Sequence, residues 1–321
     1  MSTQTAVRAS RPNEKVDTFA ADVIAGLTAR PKYLSPKYFY DLAGSALFER
    51  ITGLTEYYPT RSELGILGKR AAAIASLFPP RCALVEFGAG ASTKARIVLR
   101  TAASVEAYVP IDISGDFLEQ EAARLRRDLP HLAVYPVVAD FMALQEPPAE
   151  IADTPRAGFF PGSTIGNFEP EEAAAFLRRA GRILGSGAVL IVGVDLIKAP
   201  GILHLAYNDA EGVTAKFNLN LLARINRELG ANFDLDAFEH RAFYNAERSR
   251  IEMHLASTRR QKVRIGDVSI EFRAGETIHT ENSYKYSFDS FQALAGGAGW
   301  SPLDVWTDGL FSVHALRMAA G

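Results

Sequence analysis

The apolar positions of this chain keep one spacing near the start, a second through the middle and a third towards the end. Residues 1–15 are polar, rich in Ser, Thr and Arg, and are expected to be a disordered leader. ADVIAGLTA (21–29), GSALFERI (44–51) and the stretch from Glu63 to about Leu77 repeat apolar residues at helical spacing. Aromatic residues are dense there, and Tyr33, Tyr38, Phe39, Tyr40, Phe48, Tyr57 and Tyr58 are expected to pack a small helical subdomain. From residue 82 the rhythm alternates. Short, nearly continuous apolar runs at 82–88, 106–114, 131–141, 157–167 and 187–197 read as buried parallel strands. Helical spacing separates them at 92–103, 115–129 and 169–184, with a Ser/Thr signal at 92 and Pro170 in a first turn rich in Glu.

After Lys198 the alternation stops. Residues 203–229 predict one or two helices, and 237–276 a meander containing the hairpin VRIGDVSIEF (263–272). A helix at 287–299 and two closing, antiparallel strands within 304–318 follow. Alternating buried strands and helices predict a parallel α/β sheet, and its resumption near the C-terminus predicts a discontinuous domain.

The chain has 321 residues, 48% hydrophobic and 22% charged, enough for one large domain or two modest ones. Its net charge of −2 offers no basic footprint for nucleic acid or an anionic membrane. The single Cys82 excludes an internal disulfide and, at the start of a buried strand, reads as a core residue. No apolar run approaches the roughly 18–20 residues of a membrane span, so a soluble cytoplasmic protein is expected. The six histidines are scattered without an i,i+4 pair, so no metal site is expected. Arg248, Arg250, Arg259, Arg260, Lys262 and Arg264 read as a solvated sheet face.

Ligands bind such sheets at the carboxyl ends of their strands. The first of these ends is Glu86-Phe87-Gly88-Ala89-Gly90, whose glycines permit a tight turn and a close approach of backbone to ligand. A dinucleotide fingerprint needs a third glycine where this chain has Thr93, which disfavours a nicotinamide oxidoreductase. Asp112 ends the next strand and suits two ribose hydroxyls, or equally the cap of the helix after it. Asp140 and Phe141 end the third and suit an adenine amino group and ring. Pro161–Asn167 ends the fourth and faces the position of an acceptor.

The glycine tract resembles the first motif of class I S-adenosylmethionine-dependent methyltransferases. TGLTEYYPTRSE, FFPGSTIGNFEP, AYNDAEGVTAKFNLNLLARINREL, FDLDAFEHRAFYN and RIEMHL resemble the histidine Nα-methyltransferase family of ergothioneine biosynthesis, from about Val16 to the C-terminus. The resemblance implies a Rossmann-like methyltransferase domain over 62–196 and 287–321. It implies a smaller α+β substrate-binding domain over 16–61 and 197–286. It implies trimethylation of the α-amino group of free L-histidine to hercynine by three S-adenosylmethionine molecules, without a metal. Gly88, Lys94, Asp112, Asp140 and Phe141 match methyl-donor positions, and Tyr40 a tyrosine near the reacting centre. Tyr57, Gly162, Asn167, Tyr207, Glu281 and Ser283 match positions around the bound histidine, with Met253 beside the imidazole.

The residue types fit that chemistry. Asn167 and Tyr207 suit a carboxylate and an amine. Glu281 and Ser283, two apart on an extended segment, suit the two ring nitrogens. Glu281 is expected to select histidine over an aromatic amino acid. The amine must lose a proton before it attacks, and Tyr40, Tyr57 or water are the candidate relays. A monomer is expected. The alternatives are a methyltransferase for another amino acid such as tryptophan, against which Glu281 and Met253 argue, and a non-catalytic S-adenosylmethionine sensor, against which the complete acceptor loop argues.

Overall fold

The structure, a computed structural model, describes residues 12–320. The chain opens with α1 (Pro12–Thr28), β1 (Lys32–Tyr33), α2 (Leu42–Thr52) and α3 (Tyr58–Ser76). Residues 12–15 are therefore helical rather than disordered, because Pro12 starts α1 at the first-turn position that proline favours. The rest of the expected leader lies outside the described residues.

Next come β2 (Cys82–Phe87), α4 (Thr93–Leu99), β3 (Val105–Asp112), α5 (Gly115–Asp128), β4 (Ala133–Val134) and β5 (Val137–Val138). They are followed by β6 (Arg156–Phe160), α6 (Pro170–Leu184) and β7 (Val189–Asp195). The third expected strand is thus two short pieces that both pair with β3. Then run α7 (Pro200–Tyr207), α8 (Val213–Leu229), β8 (Phe238–Asn245), β9 (Arg250–Ser257), β10 (Gln261–Ile265), β11 (Val268–Phe272) and β12 (Thr277–Tyr284). The chain closes with α9 (Phe288–Gly296), β13 (Trp300–Thr307) and β14 (Phe311–Met318). No helix among the described residues is long and apolar enough to cross a membrane.

The chain folds into two compact units. Among the described residues, the larger comprises 46–214, 242–252 and 282–320. Its sheet runs β13-β14-β7-β6-β2-β3-β4, with β5 also on β3. Strands β2 to β7 are parallel, and β14 and β13 join antiparallel. Alternate residues of β2 face opposite ways, as the pleat requires. Ala83, Val85 and Phe87 join a core with Phe176, Leu177 and Ala180 of α6 and Phe291 of α9. Cys82 and Leu84 join Ile66 and Leu67 of α3, Val98 of α4 and Leu125 of α5. The chain leaves β2 towards β3 on one side and returns to β6 on the other. The crevice between the carboxyl ends of β2 and β6 is therefore the topological switch point, where doubly wound sheets bind ligands.

Among the described residues, the smaller unit comprises 12–45, 215–241 and 253–281. It holds α1, β1, most of α8, the β10–β11 hairpin and the greater part of a sheet ordered β1-β12-β9-β8. The Asp41 carboxylate accepts from Asn220, Arg227 and the Gly44 N–H, binding the start of α2 to α8. Fully buried Asn218 donates to the His254 carbonyl and accepts from the Thr280 hydroxyl.

These units divide the chain at other points than the expected boundaries. Helix α3 runs unbroken through residue 61 onto the large sheet. Tyr286 bridges to Leu196 at the end of β7 and carries residues 282–286 with it. Arg250 is no solvated residue: it is buried, with salt bridges to Glu169 and Glu252 and a hydrogen bond to the Tyr284 hydroxyl. Paired acids compensate the charge there.

Candidate active site

In the larger unit the glycine turn after β2 is held by its neighbour strand. The Gly88 and Ala89 N–H groups donate to the Ile111 carbonyl at 2.9 and 3.1 Å. Gly88 (φ +74°) and Gly90 (φ +49°) lie in the left-handed region that glycine enters without a Cβ clash. Ser92 lies there too (φ +53°) and does not cap α4; its hydroxyl instead accepts from Tyr108 at 3.0 Å.

Asp112, at the end of β3, is fixed by two backbone donors. Gly90 N–H reaches its Oδ2 at 3.1 Å, and Ser114 N–H reaches Oδ1 at 2.9 Å. Each oxygen has a second lone pair, so the carboxylate is aimed and still able to accept from two vicinal hydroxyls. Asp140 Oδ1 accepts from the Met142 N–H at 2.8 Å, which turns the chain and sets Phe141. A Cβ at Gly88 would stand 3.5 Å from the Phe141 ring, so ring and turn are in contact. Phe141 is half-buried and meets Phe87, Phe160 and Phe176 edge-on. These groups fit a nucleoside: a diol acceptor, an amine acceptor and an aromatic wall on successive strand ends.

Two carboxylates behind this surface escape the strand-end pattern. Glu86 is fully buried on β2, hydrogen-bonded to Tyr108 from β3, and burial pushes its carboxyl up to about 8. Glu63 on α3 is 1% exposed; it pairs with Lys94 Nζ at 2.6 Å and accepts the Gly162 N–H at 2.9 Å. One buried carboxylate thus holds Lys94 and the loop of Gly162 together. A Cβ at Gly193 on β7 would lie 2.0 Å from Glu63 Oε1, so glycine is required under the carboxylate.

The loop after β6 departs with Gly162 (φ +81°) and Ser163 (φ +54°), and Asn167 closes the 3-10 turn Thr164–Asn167. A Cβ at Gly166 would stand 2.7 Å from the Tyr284 carbonyl oxygen, so this glycine permits a close backbone approach. Ser163 Oγ accepts the Asp195 N–H at 2.9 Å.

Asp195, the last residue of β7, is the hub of a buried cluster. It accepts from Tyr58 at 2.7 Å, Lys198 at 2.6 Å and Lys285 at 2.9 Å. Lys285 also donates to Ser283 Oγ at 2.6 Å and Tyr207 Oη at 3.1 Å, and those two hydroxyls are 2.7 Å apart. Burial draws the Lys198 ammonium down to about 8 against the pull of Asp195. The Tyr57 ring meets the Tyr207 and Phe48 rings edge-on, each at 6.4 Å.

The structure therefore gathers Gly88, Lys94, Asp112, Asp140, Phe141 and Gly162 at the carboxyl ends of β2, β3, β5 and β6, and Tyr57, Tyr207 and Ser283 about the Asp195 cluster. In the smaller unit Tyr40 is half-buried with its ring 5.8 Å from that of Phe217. Met253 is buried on β9, its carbonyl accepting from Thr280 at 3.0 Å, and Glu281 is half-buried on β12. Within the same unit, the imidazoles of His254 and His279 stack at 4.7 Å, so the histidines are less scattered than their sequence spacing implies. Sequence reasoning missed Glu63, Asp195, Lys198 and Lys285. Glu63 stood in the quoted TEYYPTRSE, and Asp195 ended an apolar strand as Asp112 does, a signal that was present.

A sequence profile described as the histidine-specific, SAM-dependent methyltransferase family matches residues 19–318. The chain is 42% identical over 296 residues to the histidine N-alpha-methyltransferase of Mycobacterium tuberculosis, covering 89% of this chain and 90% of that protein. It is 43% identical over 296 residues to the protein of the same name from Mycolicibacterium smegmatis, with the same coverage of 89% and 90%. It is 31% identical over 298 residues to ergothioneine biosynthesis protein 1 of Neurospora crassa, 89% of this chain but 33% of that longer protein.

Proposed function

The chain belongs to the SAM-dependent, histidine-specific methyltransferase family, and from that premise we propose that it methylates the α-amino nitrogen of free L-histidine three times to give hercynine, the first step of ergothioneine biosynthesis. The observation that carries the reading is the aimed Asp112 carboxylate beside the switch point, across β2 from the β6 loop that Glu63 ties to Lys94.

S-adenosylmethionine, when bound, supplies an electrophilic methyl group on a sulfonium. The chain's own residues then have to bind, orient and remove a proton. Asp112 accepts the ribose hydroxyls, Asp140 the adenine amino group, and Phe141 covers the ring, while Gly88 leaves room for close approach. Lys94 and Tyr40 complete the donor side. On the acceptor side Asn167 and Tyr207 hold the carboxylate and amine, against the backbone of Gly162. Glu281 and Ser283 take the two ring nitrogens, and Met253 lies beside the ring. The ammonium proton leaves through the Tyr40 and Tyr57 hydroxyls or water. In this reading the smaller unit serves substrate binding, and the enzyme works as a cytoplasmic monomer without a metal.

The test is the stoichiometry of a purified reaction. With histidine limiting, three S-adenosylhomocysteine molecules should form per histidine, and the product should carry three methyl groups on one nitrogen. Methylation of a ring nitrogen, or a halt after one transfer, would refute the reading.

A further inference from the structure

We propose that Lys285 is a positioning residue that makes Ser283 a pure hydrogen-bond donor, so that the enzyme binds histidine with a neutral imidazole ring. The inference rests on the proposed placement of Ser283 against a ring nitrogen and goes beyond it.

An ammonium group has three N–H donors and no acceptor. Lys285 is buried with its side chain 0% exposed, and its three donors go to Asp195 Oδ2, Ser283 Oγ and Tyr207 Oη, at 2.9, 2.6 and 3.1 Å. Tyr207 in turn donates its proton to Ser283 Oγ at 2.7 Å. Ser283 Oγ therefore accepts twice, and both of its lone pairs are taken. What it has left for a ligand is its own O–H. That proton suits a bare ring nitrogen and has nothing to offer a protonated one, where a ring N–H would meet the serine O–H, donor against donor. Glu281, as acceptor, takes the N–H of the neutral ring.

The charges behind the Lys285–Ser283 pair act in the same direction, against the pull of the Glu281 carboxylate on the other ring nitrogen. The groups facing it are Asp195 from β7, Lys198 beyond that strand, Tyr58 from α3, Tyr57 against the Tyr207 ring, and Tyr286 near Lys285. Two lysines share one carboxylate, which leaves this buried cluster cationic and disfavours an imidazolium beside it. The arrangement also makes the test practical. Removing Lys285 leaves Asp195 paired with Lys198 and Tyr58, so no buried charge is orphaned.

The experiment measures binding of N,N,N-trimethylhistidine to the full chain, with S-adenosylhomocysteine present, from pH 8 to pH 5. The quaternary nitrogen of this probe does not titrate, so the imidazole, with an ordinary value near 6.5, is its titrating group in that range. For the wild type, Kd should be constant at high pH and weaken about tenfold per pH unit once the ring protonates. Lys285→Met should bind up to about tenfold more weakly at pH 8, because Lys285 no longer orients the Ser283 O–H towards the ring, and its pH dependence should flatten, because Ser283 regains a lone pair. Ser283→Ala, which alters no charge, gives a second reading should Lys285→Met not fold; it too should lose affinity at pH 8 and flatten. S-adenosylhomocysteine affinity should be unchanged in both. A wild-type Kd flat down to pH 5 would overturn the proposal. So would variants weakened by one factor at every pH, which is the signature of a merely structural role. If the wild type binds neither histidine nor its trimethyl form at any pH but does bind another amino acid, the histidine reading itself fails, and this inference falls with it.

Discussion

Gly193→Ala places one methyl group where the structure leaves no room for it. The added Cβ would lie 2.0 Å from Glu63 Oε1 and 3.2 Å from the Gly162 nitrogen. The first separation is far inside van der Waals contact, and the obstacle is no free end of a flexible chain. Glu63 is 1% exposed and held by Lys94 and by the Gly162 N–H. Either the central strand β7 shifts, or the carboxylate withdraws and forfeits those partners. Overpacking costs about 1–3 kcal/mol, and losing a hydrogen bond to a buried charged group about 1.5–3 kcal/mol. The cheaper response sets the loss, which is therefore about 1–3 kcal/mol, or roughly 2–12 °C in Tm for a domain of this size. Both tryptophans, Trp300 and Trp306, lie in the larger unit, so intrinsic fluorescence during a urea or thermal melt reports the unit concerned. The cause is isolated by repeating the substitution in a Glu63→Ala background, where the colliding atoms are gone. There Gly193→Ala should cost less than about 1 kcal/mol relative to its parent. A loss of the same size in both backgrounds, or a Gly193→Ala protein as stable as the wild type, would refute the reasoning.

Other expectations follow from single groups. Glu86 has a folded-state value raised to about 8 from an ordinary 4.5 by burial, so the folded state holds the proton that the unfolded state releases. Its contribution is full below the unfolded value and is lost as pH rises through the folded one. Urea melts should therefore show Glu86→Gln gaining stability over the wild type between pH 5 and 8; a difference independent of pH would contradict this. His314 is the opposite case, with burial lowering it to about 4 from 6.5. Stability should fall as pH drops from about 6.5 towards 4, at up to about 1.4 kcal/mol per pH unit. His314→Leu should remove that acid-side slope in the same melts, and an unchanged slope would place its origin elsewhere. Asp112→Asn keeps the size of the side chain and removes its charge. S-adenosylhomocysteine affinity by calorimetry should fall about 10- to 100-fold, and full affinity would exclude Asp112 as the ribose acceptor.

The larger unit was legible where burial and period coincide. Ala83, Val85 and Phe87 alternate with Cys82 and Leu84, and that alternation alone assigns β2 two covered faces. Helix α6 was equally plain, because Pro170 and three glutamates mark its first turn and Ala173, Phe176, Leu177 and Ala180 its buried face. The strand-end rule then located Gly88, Asp112 and Asp140. What stayed hidden are interactions between residues far apart in the chain. Glu63 lies 99 positions from Gly162, and Tyr58 lies 137 from Asp195. A buried charge is invisible to periodicity until its partner is known. Lys285 stands in the polar run SYKYS, and its burial follows from Asp195, Ser283 and Tyr207 together. Arg250 misled, because its neighbours in sequence are exposed arginines while its partners in space are Glu169, Glu252 and Tyr284.

The central claim is that the acceptor is the α-amino group of free histidine. Its most direct test incubates the purified chain with S-adenosylmethionine and each of the twenty amino acids in separate reactions, then reads product masses and the site of methylation. Histidine should give a trimethylated product, methylated on the α-nitrogen, and tryptophan and tyrosine should give none. Turnover of another amino acid with histidine left unmodified would contradict the claim.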